Sequence, residues 1–68
     1  MKNNIRVLRK QLEFRQEDVA TKLGVTRQTI NAIENAKYNP TLELAMNIAK
    51  LLKTTVEKLF ILEIHKVN

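Results

Sequence analysis

The stretch GVTRQTINAIEN, residues 24–35, decides how this chain is read. It opens on the sole glycine. Gly24 suits the left-handed residue that ends one helix. Thr26 suits the cap of the next, its hydroxyl accepting from an orphan N–H. In a helix that starts after Thr26 and runs to about Asn35 or Ala36, Ile30 and Ile33 share one face. Arg27, Gln28 and Asn31 share the opposite face, and Asn35 continues it. A domain short of core material thus devotes most of a helix to hydrogen-bonding side chains.

Upstream, Gln16, Glu17 and Asp18 place two acids where a first helical turn favours them. Val19, Ala20 and Leu23 supply the apolar face, so a helix is expected from Gln16 to Leu23. Arg15 precedes it and has no acceptor with which to cap it. Earlier still, Ile5, Leu8 and Leu12 follow the helical period over residues 4–13, with Arg6, Arg9 and Lys10 around the other side. Phe14 closes that helix against the core. Downstream, Lys37 to Pro40 is a loop, because proline keeps its predecessor out of the helical region. Thr41 caps a helix carrying Leu42, Ala45, Ile48, Ala49 and Leu52. A last helix carries Val56, Leu59 and Phe60, capped by Thr54 or Thr55. In the tail, ILEIHKVN, residues 61–68, the alternation suggests a short strand, with a helix extension or frayed end as the other readings.

Sixty-eight residues make one domain. With 1 glycine, 1 proline and no cysteine, a many-turned β fold and a disulfide or thiolate-metal framework are excluded. No metal or other cofactor is expected. The basic N-terminus lacks the apolar run of a signal peptide, and no stretch approaches the roughly 20 apolar residues that span a bilayer. The expectation is a soluble cytoplasmic protein without membrane contact. Lysine and arginine number 12 against 7 acids, a net charge of +5. That suits a polyanion, although solubility alone explains it equally well. His65 has no Ser, Cys or metal partner, and Glu13, Glu17 and Asp18 read as helix-end charges, so no enzyme is expected.

Two short helices joined at a tight turn form the helix-turn-helix layout, in which the second helix enters the DNA major groove. Its inward face must pack, and its outward face must reach base edges. Arginine matches guanine O6 and N7, and glutamine or asparagine matches adenine N6 and N7. A merely solvated polar face is the plain alternative.

The segment QEDVATKLGVTRQTINAIENAKYNPTLELAMNIAKLL resembles the Xre family of bacterial and phage helix-turn-helix regulators, which includes the lambdoid Cro and repressor domains. The resemblance runs from about Ile5 to Phe60. It implies an all-α, compact five-helix domain over residues 1–60, with the helix-turn-helix at about 16–35 and a tail at 61–68. It further implies sequence-specific binding of double-stranded DNA, usually as a homodimer on a near-palindromic operator. Position by position, it puts Arg27, Gln28 and Asn31 on bases, with Ala32 limited to a thymine methyl. Gln16, Thr26, Asn35, Lys37 and Tyr38 fall at backbone-contacting positions. Arg15 stands where relatives often carry a capping residue, and is expected to face phosphate instead. Arg9 and Glu34 match a structural ion pair. Ala36 and Lys53 replace glycines common after the third and fourth helices.

The functional expectation is a transcriptional regulator, a repressor in its simplest form. One alternative is an antitoxin that binds its own operator and also a toxin. Another, of a different class, is a protein-interaction module that does not bind DNA. The apolar residues Phe60, Ile61, Leu62, Ile64 and Val67 exceed what so small a core needs, and are expected to form the dimer contact, with tail strands pairing across a two-fold axis.

Overall fold

The computed structural model describes residues 1–62. Its elements, in chain order, are β1 (Lys2–Asn3), α1 (Ile5–Gln11), α2 (Gln16–Leu23), α3 (Arg27–Glu34), α4 (Leu42–Leu51), α5 (Val56–Leu59) and β2 (Phe60–Ile61). The five helices make this a compact all-α domain with a two-residue ribbon closing its ends.

Three threonines start helices as their sequence context suggests. Thr26 Oγ1 accepts from the Thr29 N–H at 3.2 Å, and Thr41 Oγ1 from the Leu44 N–H at 3.2 Å. Thr55, rather than Thr54, caps α5, accepting from the Lys58 N–H at 3.3 Å. The helix ends share a second device. After α1, α2, α3 and α4 the chain passes through a left-handed residue: Glu13 (φ 59°), Gly24 (φ 69°), Ala36 (φ 59°) and Lys53 (φ 58°). Each helix then closes with the paired bonds of a Schellman motif. At the end of α1, the Glu13 N–H donates to the Lys10 carbonyl and the Phe14 N–H to the Arg9 carbonyl, both at 3.0 Å. Helix α1 therefore stops at Gln11, short of the expected Glu13.

The core divides around Phe14. Ile5, Ile33, Ala45, Ile48, Ala49, Leu52, Leu59 and Phe60 pack together, while Val19, Ala20 and Ile30 form a smaller cluster between α2 and α3. Phe14 and Leu23 touch both. Ile30 and Ile33 are each 1% exposed, which fixes the inward face of α3.

One expectation is corrected here, and the tail strand expected over residues 61–68 lies outside the described residues from 63 onward. A strand at Phe60–Ile61 pairs antiparallel with the chain's own start, Lys2 opposite Ile61 and Asn3 opposite Phe60. It is a clasp within one molecule. The Asn4 N–H extends the clasp to the Leu59 carbonyl at 2.9 Å. Phe60, expected at a dimer contact, is 8% exposed and belongs to the monomer's own core. Burying it there leaves almost no apolar area for a partner. Ile64 and Val67, the other tail residues assigned to that contact, lie outside the described residues, as does His65.

Candidate nucleic-acid interface

Helices α2 and α3 pack on each other, and the turn Gly24–Thr26 sets α3 across the face of the domain. A Cβ added at Gly24 would meet nothing within 4 Å. Glycine is there for the backbone angle alone. On the face of α3 opposite Ile30 and Ile33, Arg27, Gln28 and Asn31 are exposed. Neither Arg27 nor Gln28 has a side-chain partner among the described residues. Ala32 is half-buried. Lys37 and Tyr38 are exposed in the loop after α3. Thr26 is exposed, and its hydroxyl lies 3.0 Å from that of Thr29.

Behind this face lies an ionic anchor. Arg9, read by periodicity as part of the outer side of α1, is only 7% exposed. Its Nε donates to Glu34 Oε2 at 2.6 Å and its Nη2 to Glu34 Oε1 at 3.2 Å. Nη1 donates to the Phe14 carbonyl at 2.8 Å, which ties the end of α1 to the same pair. Burial on its own pushes the Glu34 carboxyl up. Hydrogen bonds from Arg9 and Gln16, the Arg9 charge and the Arg6 contact outweigh it and hold the group below its ordinary value.

A depressed carboxyl contributes stability that is present above its unfolded pKa and lost as pH falls through the folded value. The fold should thus weaken in the acid range below about 4.3, the ordinary glutamate value. Urea midpoints measured from neutral pH downwards should fall more steeply for the wild type than for Glu34→Gln. Parallel slopes would remove Glu34 from the acid response.

Gln16 and Asn35, expected at phosphate-contacting positions, also make internal side-chain bonds. Gln16 Nε2 donates to Glu34 Oε1 at 3.0 Å. Gln16 Oε1 accepts from Asn31 Nδ2 at 3.4 Å. Asn35 Nδ2 donates to Asn31 Oδ1 at 3.1 Å and to the Asn31 carbonyl at 3.0 Å. Gln16 also offers the expected backbone N–H in the first turn of α2, a position that suits an anion.

Arg15 precedes α2 without capping it through its side chain, as expected. Its side chain cannot accept, yet the helix start is satisfied by Asp18, whose Oδ2 accepts the Arg15 backbone N–H at 2.7 Å. That bond, then the Arg15 side chain, hold the Asp18 carboxyl below its usual range. The Arg15 guanidinium stays 78% exposed beside Asp18 and remains accessible to a phosphate.

Sequence reading missed Arg6 and Asn3. Arg6 Nη2 donates to Asn35 Oδ1 at 2.9 Å and its Nε to Glu34 Oε1 at 3.4 Å. Asn3 Nδ2 donates to the Ile33 carbonyl at 2.8 Å, pinning the N-terminal strand to the end of α3. The available signal for Arg6 was its i, i+3 spacing from Arg9, which puts both guanidiniums on one side of α1.

The helix-turn-helix family pattern matches residues 5–59, from the start of α1 to the end of α5. The chain belongs to the Xre-type helix-turn-helix family. Its relatives carry matching names. An uncharacterized HTH-type transcriptional regulator of Methanocaldococcus jannaschii is 51% identical over 63 residues, covering 93% of this chain and 96% of that one. One from Methanothermobacter thermautotrophicus is 47% identical over 64 residues, covering 93% of each. The regulator YgzD of Bacillus subtilis is 43% identical over 63 residues, covering 93% of this chain and 96% of its own. The family is one of DNA-binding transcription regulators, not an enzyme class. Its relatives are archaeal as well as bacterial, a wider range than the bacterial and phage setting the sequence resemblance implies. Among the described residues no helix is long and apolar enough to cross a membrane, and no acidic or histidine cluster is arranged to hold a metal.

Proposed function

We infer that this Xre-type protein is a sequence-specific repressor that binds a near-palindromic operator as a homodimer, with α3 of each copy in the major groove. The observation that carries the reading is the division of α3. Ile30 and Ile33 are buried, and Arg27 and Gln28 project without partners among the described residues. Arg27, Gln28 and Asn31 read bases. The Gln16 N–H, Thr26, Lys37, Tyr38 and Arg15 grip phosphates, and Asn35 supports the reading face from behind. Two-fold symmetry would put the recognition helices about 34 Å apart, one turn of duplex.

Reading and gripping separate experimentally. Arg27→Ala should cost about 1–3 kcal/mol on the operator and relax its sequence preference. Lys37→Ala should weaken operator and random duplex alike and lower the salt dependence by about one released counterion. Titrations of both duplexes across salt concentration measure this. If the two variants behave alike, the assignment of the outward face is wrong.

The dimer contact, redrawn without Phe60, centres on Ile61 and Leu62, which are 43% and 71% exposed. Leu62→Glu should sediment as a monomer that binds operator weakly. A Leu62→Glu variant that remains dimeric overturns this contact.

A further inference from the structure

The side chains between α1 and the reading face of α3 close into a ring of hydrogen bonds. Arg6 Nη2 donates to Asn35 Oδ1 at 2.9 Å, and Asn35 Nδ2 donates to Asn31 Oδ1 at 3.1 Å. Asn31 Nδ2 donates to Gln16 Oε1 at 3.4 Å, and Gln16 Nε2 donates to Glu34 Oε1 at 3.0 Å. Arg6 Nε completes the circuit to Glu34 Oε1 at 3.4 Å.

Three of these five side chains are amides, each able to present oxygen or N–H₂ to either neighbour. The two charged members lack that freedom. A guanidinium only donates, and an ionised carboxylate only accepts. The Asn35 atom facing Arg6 must therefore be oxygen, which turns its Nδ2 towards Asn31. At the other side, the Gln16 atom facing Glu34 must be nitrogen, which turns its Oε1 towards Asn31. Asn31 receives a donor from one neighbour and an acceptor from the other. Only one orientation of its amide satisfies both.

The arm through Gln16 sets the same orientation but meets Asn31 at 3.4 Å, against 3.1 Å from Asn35. From this directionality we propose that Arg6 is a specificity-determining positioning residue, which acts through the closer arm to hold the amide orientation of Asn31 without touching a base. The proposal rests on Asn31 reading a base. Adenine recognition needs an amide N–H at N7 and the amide oxygen at N6. The lone pair of Oδ1 and the proton of Nδ2 left outside the ring have a fixed handedness, so a flipped amide would present the wrong pattern. Arg6 has 50% of its side chain exposed, so its replacement leaves the core intact.

The test compares two replacements by selecting bound sites from a random duplex pool. Lysine in Arg6→Lys still only donates, and should keep the wild-type preference at every base pair. Glutamine in Arg6→Gln can offer Asn35 either an oxygen or an N–H₂ group. It should lower discrimination about tenfold at the base pair read by Asn31 and leave those read by Arg27 and Gln28 unchanged. That is part of the roughly 5- to 150-fold that a good bidentate contact supplies. In an Asn31→Ala background, Arg6→Gln should have no further effect on preference.

Uniform weakening of all duplexes by Arg6→Gln would make Arg6 a simple phosphate-binding cation and overturn the proposal. Equal loss of preference in Arg6→Lys and Arg6→Gln would overturn it too. If Asn31→Ala changes the preference and Arg6→Gln does not, this inference fails alone. If Asn31→Ala keeps the wild-type preference, the base-reading role of Asn31 fails as well.

Discussion

Glu34→Ala is expected to remove about 3–5 kcal/mol of folding stability at neutral pH, the loss typical when one partner of a buried pair is deleted. The Arg9 side chain is 9% exposed and that of Glu34 0%. Without the carboxylate, the Arg9 guanidinium stays buried with the Phe14 carbonyl as its remaining acceptor. Arg6 and Gln16 lose a partner as well, but both have enough exposure to turn to water. A core below about 70–80 residues rarely supplies more than about 3–5 kcal/mol, so the variant should be largely unfolded at 25 °C.

The pair specifies where α1 and α3 meet, but charge is not required to hold them. Arg9→Met combined with Glu34→Leu should recover most of the loss, because apolar groups of similar volume avoid the desolvation of two ions. Urea unfolding followed by circular dichroism measures all three proteins. A Glu34→Ala variant within about 0.5 kcal/mol of wild type, the spread of ordinary surface substitutions, would show that Arg9 escapes to solvent.

The same residues mark where the sequence was legible. Helices α2, α3 and α4 were readable because short-range signals agree over their whole length: acids in a first turn, threonine caps, helical spacing of Ile30 with Ile33 and of Ala45 with Ile48. The outward position of Arg27, Gln28 and Asn31 follows from that spacing. Arg9 was misplaced by the same logic, because charge outweighs position in a periodicity argument, and only a carboxylate 25 residues away makes its burial tolerable. The ring through Arg6, Gln16, Asn31 and Asn35 joins three helices and the residue that closes α3, so just its Asn31–Asn35 step, i to i+4, was local. The clasp of Lys2–Asn3 with Phe60–Ile61 gave no period to detect, since each strand is 2 residues long. It was Phe60, apolar and next to an apolar tail, that looked surplus until a partner from the far end of the chain covered it.

Glycine at three helix ends should raise stability by about 2 kcal/mol in total. Glu13, Ala36 and Lys53 hold φ of 59°, 59° and 58°. An L-residue there crowds its Cβ against the following carbonyl, at about 1–2 kcal/mol. Glycine removes that strain but makes the unfolded chain freer, which returns about 0.5–1 kcal/mol. The net gain is about 0.7 kcal/mol per site. All three side chains are exposed, so no packing is lost. The charges nearly offset each other, because Glu13 opposes the dipole at the end of α1 and Lys53 complements it at the end of α4. Their Schellman bonds run to different carbonyls, those of Lys10, Ile33 and Lys50, so the effects should add. In a domain this size the triple variant should melt higher by roughly 8–16 °C. Gly24→Ala supplies the opposite sign. At φ 69° with open space around its Cβ, alanine meets backbone strain and nothing else, so a loss of about 1 kcal/mol is expected. If the triple variant melts at the wild-type temperature while Gly24→Ala is destabilised, then freedom of the unfolded chain cancels the strain at those three positions. Left-handed closure without glycine would then be no weakness in this domain.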